Sequence, residues 1–250
     1  MRLRARGLLL AVVLTLPVLV ACSDDKADAP GAGGSAGGGS VVALTILQMN
    51  DVYELTPVSG GTEGGMARVA TLRANLRAEN PNTFTVLAGD LLNPSALSTA
   101  TVDGQRLAGR QMVDVMNILG LDYATFGNHE FDLSQENLNL RLAESKFRWV
   151  SSNVTQADGQ PFPDVPLNVT FTVANDDGQE ARVGLFGLTV GSNPAGYVAY
   201  KDPVAVAREQ VSELRSQVDI LIAVTHLSLE GDIDLVQKVP EIDLVLGGHE

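Results

Sequence analysis

The stretch Tyr123–Asp132, YATFGNHEFD, begins as a short apolar run. It ends, within five residues, in an amide (Asn128), an imidazole (His129) and two carboxylates (Glu130 and Asp132). The chain has only three histidines, His129, His226 and His249, and each follows a short apolar run. Two aspartates stand in the same setting, Asp51 after LTILQMN and Asp90 after TFTVLAG. Carboxylate, imidazole and amide oxygen are hard-to-borderline donors, suited to manganese, iron or zinc rather than to a thiolate site. An aspartate can bridge two ions ~3.5–4 Å apart, and such a pair clamps the attacking and leaving oxygens of a phosphoryl transfer.

Each residue taken singly also has a plain structural reading. Asp51 with Asn50 suits a turn, and Asp90 after Gly89 suits the start of one. A lone His226 at a strand end suits a core or rim histidine. Asn128 suits a turn and Asp132 the cap of the helix that follows. The joint pattern decides between the readings: five apolar runs ending in ligand-type side chains are hard to obtain as independent accidents. Glycines before Asp90, Asn128 and His249 let the backbone turn each side chain inward.

The elements that must position these residues are legible from periodicity. VVALTILQM, NTFTVLAG, DYATFG, RWVSSN, DILIAVTH and IDLVLGG read as strands by length and β-branching. Met66, Val69, Leu72 and Leu76 form a helical stripe, LAGRQMVDVMNILG a helix closed by Gly120, and helices are expected around 134–144 and 204–217. PLNVTFTVAN and EARVGLFGLTV flank DDGQ, a hairpin signal that adds an antiparallel element. Strands alternating with helices predict an α/β fold with largely parallel sheets. Their carboxyl ends would then gather positions 51 to 249 into one crevice.

The 250 residues are 45% hydrophobic and 19% charged, enough for a sizeable core in residues 41–250. A net charge of −13 argues against nucleic acid as a partner, although metal ions can invert the field locally for a phosphorylated substrate. Residues 1–21 read as a secretion signal, with three arginines before an apolar run too short to span a bilayer. LVAC at positions 19–22 resembles a bacterial lipobox, which implies acylation of Cys22, the only cysteine. The alternative is an ordinary signal peptide with an incidental cysteine. Residues 22–40, rich in Gly, Ala and Ser, read as a flexible tether. The expectation is a lipid-anchored protein of the bacterial cell envelope, periplasmic or facing the outer membrane.

ILQMNDVYE, LAGD, FGNHEFD, VTHLS and GGHE occur in the order found in calcineurin-like metallophosphoesterases. With GGMARVATL, the chain looks most like the 5′-nucleotidase and UDP-sugar hydrolase branch, over residues 45–250. The resemblance implies a four-layer αββα sandwich with mixed sheets and two metal ions (zinc, manganese or iron). It implies that Asp51 binds the first ion, that Asp90 bridges, and that Asn128, His226 and His249 bind the second. It further implies that His129 contacts the phosphate, oriented by Asp132, and that the nucleophile is a metal-bound water or hydroxide. Glu130 is expected to support the metal shell through hydrogen bonds.

Two departures stand out. Tyr53 occupies the position of a histidine that usually binds the first ion, so it is a candidate ligand or metal neighbour. The second histidine of the family's GHxH would fall past Glu250, so the chain reads as the N-terminal piece of a longer protein whose nucleotide-binding domain is absent. The implied function is extracytoplasmic hydrolysis of phosphate esters, foremost nucleoside phosphates. Cyclic-nucleotide phosphodiesterase, UDP-sugar hydrolase and thiosulfohydrolase activities would share the same core. A non-catalytic nucleotide- or partner-binding lipoprotein is the alternative of a different class.

Overall fold

Side-chain alternation along the strands decides which of three apolar cores each residue enters. The computed structural model describes residues 12–19 and 41–249. In its first sheet lie β1 (Val12–Leu19), β2 (Val41–Met49), β3 (Thr83–Ala88), β4 (Tyr123–Thr125) and β5 (Arg148–Trp149), in that order. β1 is antiparallel to β2, and the other neighbours are parallel. The second sheet holds β6 (Asn168–Ala174), β7 (Glu180–Thr189), β8 (Ile220–His226) and β9 (Leu244–Gly248), in the order β9-β8-β7-β6. Only the β6–β7 hairpin is antiparallel there.

On β2, Val42, Leu44 and Ile46 point between the sheets. There they meet Val169 and Val173 of β6, Val183 of β7, and Ile222 and Val224 of β8. The alternate residues Leu47 and Met49 face the other way, into a core shared with α1 (Met66–Glu79), α2 (Arg110–Leu119) and α3 (Gln135–Glu144). Leu221 and Ala223 of β8 face α4 (Pro203–Leu214) and α5 (Leu229–Lys238). The result is helix, sheet, sheet, helix: the expected four layers with mixed sheets. Full burial of each Leu, Ile or Val contributes about 1.5–3 kcal/mol, so the apolar period rather than any one contact holds the layers together.

Local signals behave as read. Gly120 ends α2 in the left-handed conformation (φ 81°), its N–H bonded to Met116 O. The hairpin turn is closed by the Asn175 side chain, which accepts from the N–H groups of Asp177 and Gln179. Helix α3 is capped by Ser134, which accepts from Asn137 N–H at 3.3 Å. Asp132 is therefore not the cap of that helix.

Part of the apolar run expected to form a secretion signal, Val12–Leu19, lies as an edge strand whose partners run from Val12↔Gln48 to Leu19↔Val41. An unpaired strand edge presents a row of free N–H and C=O groups, and an apolar β-branched run supplies partners for them. Removal of residues 1–21 would leave that edge of β2 open. Cys22 and the tether fall outside the described residues. No helix among the described residues is long and apolar enough to cross a membrane.

Candidate metal centre

The carboxyl ends of five strands, three from the first sheet and two from the second, deliver the centre. Asp51 follows β2, Asp90 follows β3, Asn128 and His129 follow β4, His226 ends β8, and His249 follows β9. Asp51 (φ 53°), Asp90 (φ 58°) and His249 (φ 81°) all adopt the left-handed backbone conformation, which costs a non-glycine residue on the order of 1–3 kcal/mol. Backbone bonds hold them there: Asp51 N–H to Gly89 O (3.0 Å), Val52 N–H to Asp90 O (2.9 Å) and His249 N–H to Asp51 Oδ2 (3.1 Å). A Cβ at Gly127 would collide with the Asp90 carboxylate, and one at Gly89 would collide with the His226 ring. These two glycines are required by close approach.

Ligand atoms of Asp51, Asp90 and His226 all lie within 4.8 Å of one another. His226 is fully buried. Its Nδ1 lies 2.8 Å from Ala88 O, which leaves Nε2 facing Asn128 Oδ1 at 3.2 Å, Asp90 Oδ2 at 3.4 Å and His249 Nδ1 at 3.1 Å. With Nδ1 donating to the carbonyl, a neutral Nε2 turns a lone pair towards two oxygen acceptors. That convergence calls for a cation. Burial lowers the His226 pKa, but the hydrogen bond and charge of Asp90, the Ala88 carbonyl and the charge of Asp51 raise it above the ordinary value. A proton thus does here what a metal ion would do. Burial raises the Asp90 carboxyl, and His226, the His129 backbone N–H and the Tyr53 hydroxyl more than offset this, holding it below the usual range. The donor set fits a divalent or trivalent ion of the first transition row.

Tyr53 stands beside this cluster. Its hydroxyl donates to Asp90 Oδ2 (2.7 Å) and Asp51 Oδ1 (3.0 Å). Burial, followed by the two carboxylates, pushes its pKa far above that of a free phenol, so the hydroxyl holds its proton in this arrangement.

Glu130 is fully buried and accepts backbone hydrogen bonds from Gly127 (2.5 Å), Asp90 (3.0 Å), Leu91 (2.6 Å) and Leu92 (3.0 Å). One carboxylate thereby ties the loop after β3 to the loop after β4, setting Asp90 beside Asn128. Burial pushes its carboxyl up, to about 7, and the charge of Asp90 adds to this, while the backbone donors pull it back. The expected hydrogen-bonding support is present, and it reaches the backbone that carries the ligands.

His129 and Asp132 lie on the solvent side, with side chains 39% and 31% exposed. His129 Nδ1 is 2.8 Å from Asp132 Oδ2. Burial lowers the His129 pKa, and the Asp132 hydrogen bond together with the charges of Asp90, Asp132 and Glu130 raises it above the ordinary value. Asp132 also accepts from Asn93 Nδ2 (2.7 Å) and Asn193 Nδ2 (2.7 Å). Sequence reasoning missed both asparagines. Asn193 had a usable signal: it follows the end of β7, which runs parallel to β8 and so points its own carboxyl end at the same crevice.

All seven residues expected at the centre, Asp51, Asp90, Asn128, His129, Asp132, His226 and His249, are thus brought into one neighbourhood with Tyr53. The rat 5′-nucleotidase is 32% identical over 224 residues, covering 82% of this chain and 37% of that protein. The trifunctional nucleotide phosphoesterase protein YfkN of Bacillus subtilis is 28% identical over 84% of this chain and 16% of its own length. The crystal structure of a 5′-nucleotidase precursor from Thermus thermophilus superposes with a TM-score of 0.71 at 29% identity, covering 82% of this chain and 41% of that one. The chain therefore spans less than half the length of these relatives. The family model described as calcineurin-like phosphoesterase matches residues 44–250, and the chain belongs to that family.

Proposed function

We propose that this chain carries the catalytic centre of an extracytoplasmic, metal-dependent phosphoesterase that hydrolyses nucleoside phosphates as a 5′-nucleotidase. The observation that carries this reading is the fully buried His226 Nε2 turned onto Asn128, Asp90 and His249, with the His129–Asp132 pair alongside. Asp51 would hold one ion, Asp90 would lie between two, and Asn128, His226 and His249 would hold the other. When bound, the ions supply Lewis acidity towards the phosphoryl oxygens and lower the pKa of a coordinated water. Asp132 fixes the tautomer and plane of the His129 ring and favours its charged form. His129 Nε2 then donates to the phosphoryl oxygen, where charge builds up in the transition state. Glu130 keeps the two ligand-bearing loops from separating.

Hydrolysis of AMP and of a chromogenic phosphodiester by the chain, with manganese, zinc or iron added and then chelated, tests the reading. His129→Ala serves as the control. No metal-dependent turnover on any phosphoester would sink it. Relatives named as 5′-nucleotidases support AMP as the first substrate to try.

A second reading rests on Tyr53, whose hydroxyl occupies both Asp51 and Asp90. A centre weakened there would bind a nucleotide without turning it over. Saturable AMP binding without hydrolysis, together with activity gained by Tyr53→His, would select this reading. The anchor at Cys22 is part of the proposal. Cys22→Ser should abolish incorporation of labelled palmitate and release the protein from the membrane fraction.

A further inference from the structure

Three donors converge on Asp132, and they are not equivalent. His129 Nδ1 and Asn93 Nδ2 both bond Oδ2, whereas Asn193 Nδ2 alone among them bonds Oδ1. A carboxylate tethered at one oxygen still turns about its last torsion, and that torsion is soft. Tethered at both oxygens, it does not turn. Asn193 therefore decides the plane of the carboxylate, and with it the direction of the lone pair offered to His129.

The same Asn193 amide donates its second proton to the backbone carbonyl of Asn128 at 3.0 Å, so both protons of one NH₂ group are used. One links to the carboxylate that holds His129, the other to the main chain of a residue facing His226. Asn193 is itself anchored. Tyr200 Oη donates to Asn193 O (2.9 Å), and the Tyr200 ring meets Phe131 edge-on at 5.9 Å. Tyr197 Oη donates to Leu133 O (2.7 Å). The segment from Asn193 to Tyr200 thus grips the turn that carries His129 and Asp132 from a separate part of the chain.

We propose that Asn193 is a positioning residue for phosphoester hydrolysis, acting through Asp132 to hold the His129 imidazole in register with the metal-binding cluster. This rests on the function proposed above. His129 and Asp132 are both more than 30% exposed, and unrestrained side chains at that exposure change rotamer on the ps–ns timescale. A displacement of ~1 Å at a reacting group costs roughly 10²-fold in rate.

The test compares wild type, Asn193→Ala, Asn193→Asp, Asp132→Ala and the double variant Asp132→Ala/Asn193→Ala in the full chain loaded with Mn²⁺, with p-nitrophenyl phosphate as substrate. Asn193→Ala is expected to lower kcat by roughly 10–100-fold, with KM nearly unchanged. Asn193→Asp, of equal size but turning an acceptor towards Asp132, should lose at least as much, and it carries the test if the alanine variant does not fold. In the Asp132→Ala background the Asn193→Ala change should cost nothing further. An unchanged kcat in the single variants, or an equal loss in both backgrounds, overturns the proposal. Ring-¹⁵N NMR of the metal-free chain supplies a readout that needs no turnover. Asn193→Ala should move or broaden the His129 signals more than those of His226 and His249, and unmoved His129 signals overturn the proposal. Absence of turnover by wild type would count against the phosphoesterase reading alone, because the NMR comparison still decides the role of Asn193.

Discussion

On the side of the centre fed by the second sheet, His226 is fully buried, its Nδ1 is engaged by Ala88 O, and its Nε2 faces Asn128, Asp90 and His249. On the other side, Asp51 is only partly buried and its carboxylate is engaged by the Tyr53 hydroxyl, the Asn50 amide and the His249 backbone N–H. On the first side a neutral His226 Nε2 faces two oxygen acceptors, Asn128 Oδ1 and Asp90 Oδ2, the latter also accepting from the Tyr53 hydroxyl. The second is already supplied with donors. The difference teaches that two sides of one crevice can be unequally ready for a cation, with the Tyr53 hydroxyl already bonded to Asp51 and to Asp90 between them.

The strongest way to break this comparison is His226→Ala. Loss of the buried imidazole should remove the tighter ion and lower kcat on the order of a thousandfold, since a bound metal is worth several kcal/mol of transition-state stabilisation. Metal content per chain after dialysis and steady-state hydrolysis check it together. Glu130→Gln strikes the frame shared by both sides. It turns an NH₂ group onto backbone N–H donors, and it should destabilise the metal-free chain by about 3 kcal/mol. Urea denaturation measures this, and a loss below about 1 kcal/mol would mean that the two loops hold together without the carboxylate.

Tyr53→His sharpens the contrast instead of breaking it. Replacing a protonated phenol with an imidazole should tighten the weaker position by roughly 10–100-fold, with a smaller change on the His226 side because the phenol also bonds Asp90. Calorimetric titration separates the two events, and weaker binding in the variant would show that the phenol ligates. The smallest effect is one of pH. The His226 pKa is raised in the folded chain, and its imidazole must lose the Nε2 proton to bind metal. Affinity on that side should therefore fall as pH drops through the raised value, with proton release on metal addition. Proton release measured in two buffers of different ionisation enthalpy checks the sign.

The periods of the apolar residues carried an α/β fold with largely parallel sheets, whereas the four layers were implied by the resemblance to calcineurin-like metallophosphoesterases. The sequence also carried the list of strand ends that deliver ligands, and Tyr53 as the place where the list departs from the family. Chain order at Asp51, Asp90, Asn128, His226 and His249 suffices there, since parallel strands gather their carboxyl ends in one crevice.

Other features were decided only by the tertiary structure. They include the four N–H groups on Glu130, the Ala88 carbonyl that selects which nitrogen of His226 faces the centre, and the two-oxygen tether of Asp132 by asparagines 39 and 61 positions away. Asparagine and glutamate in loops are common and follow no period, so their partners are set by where loops from different strands meet. The pairing of Val12–Leu19 with β2 has the same origin: the edge of β2 carries open backbone groups, and an apolar run meets them as an antiparallel strand.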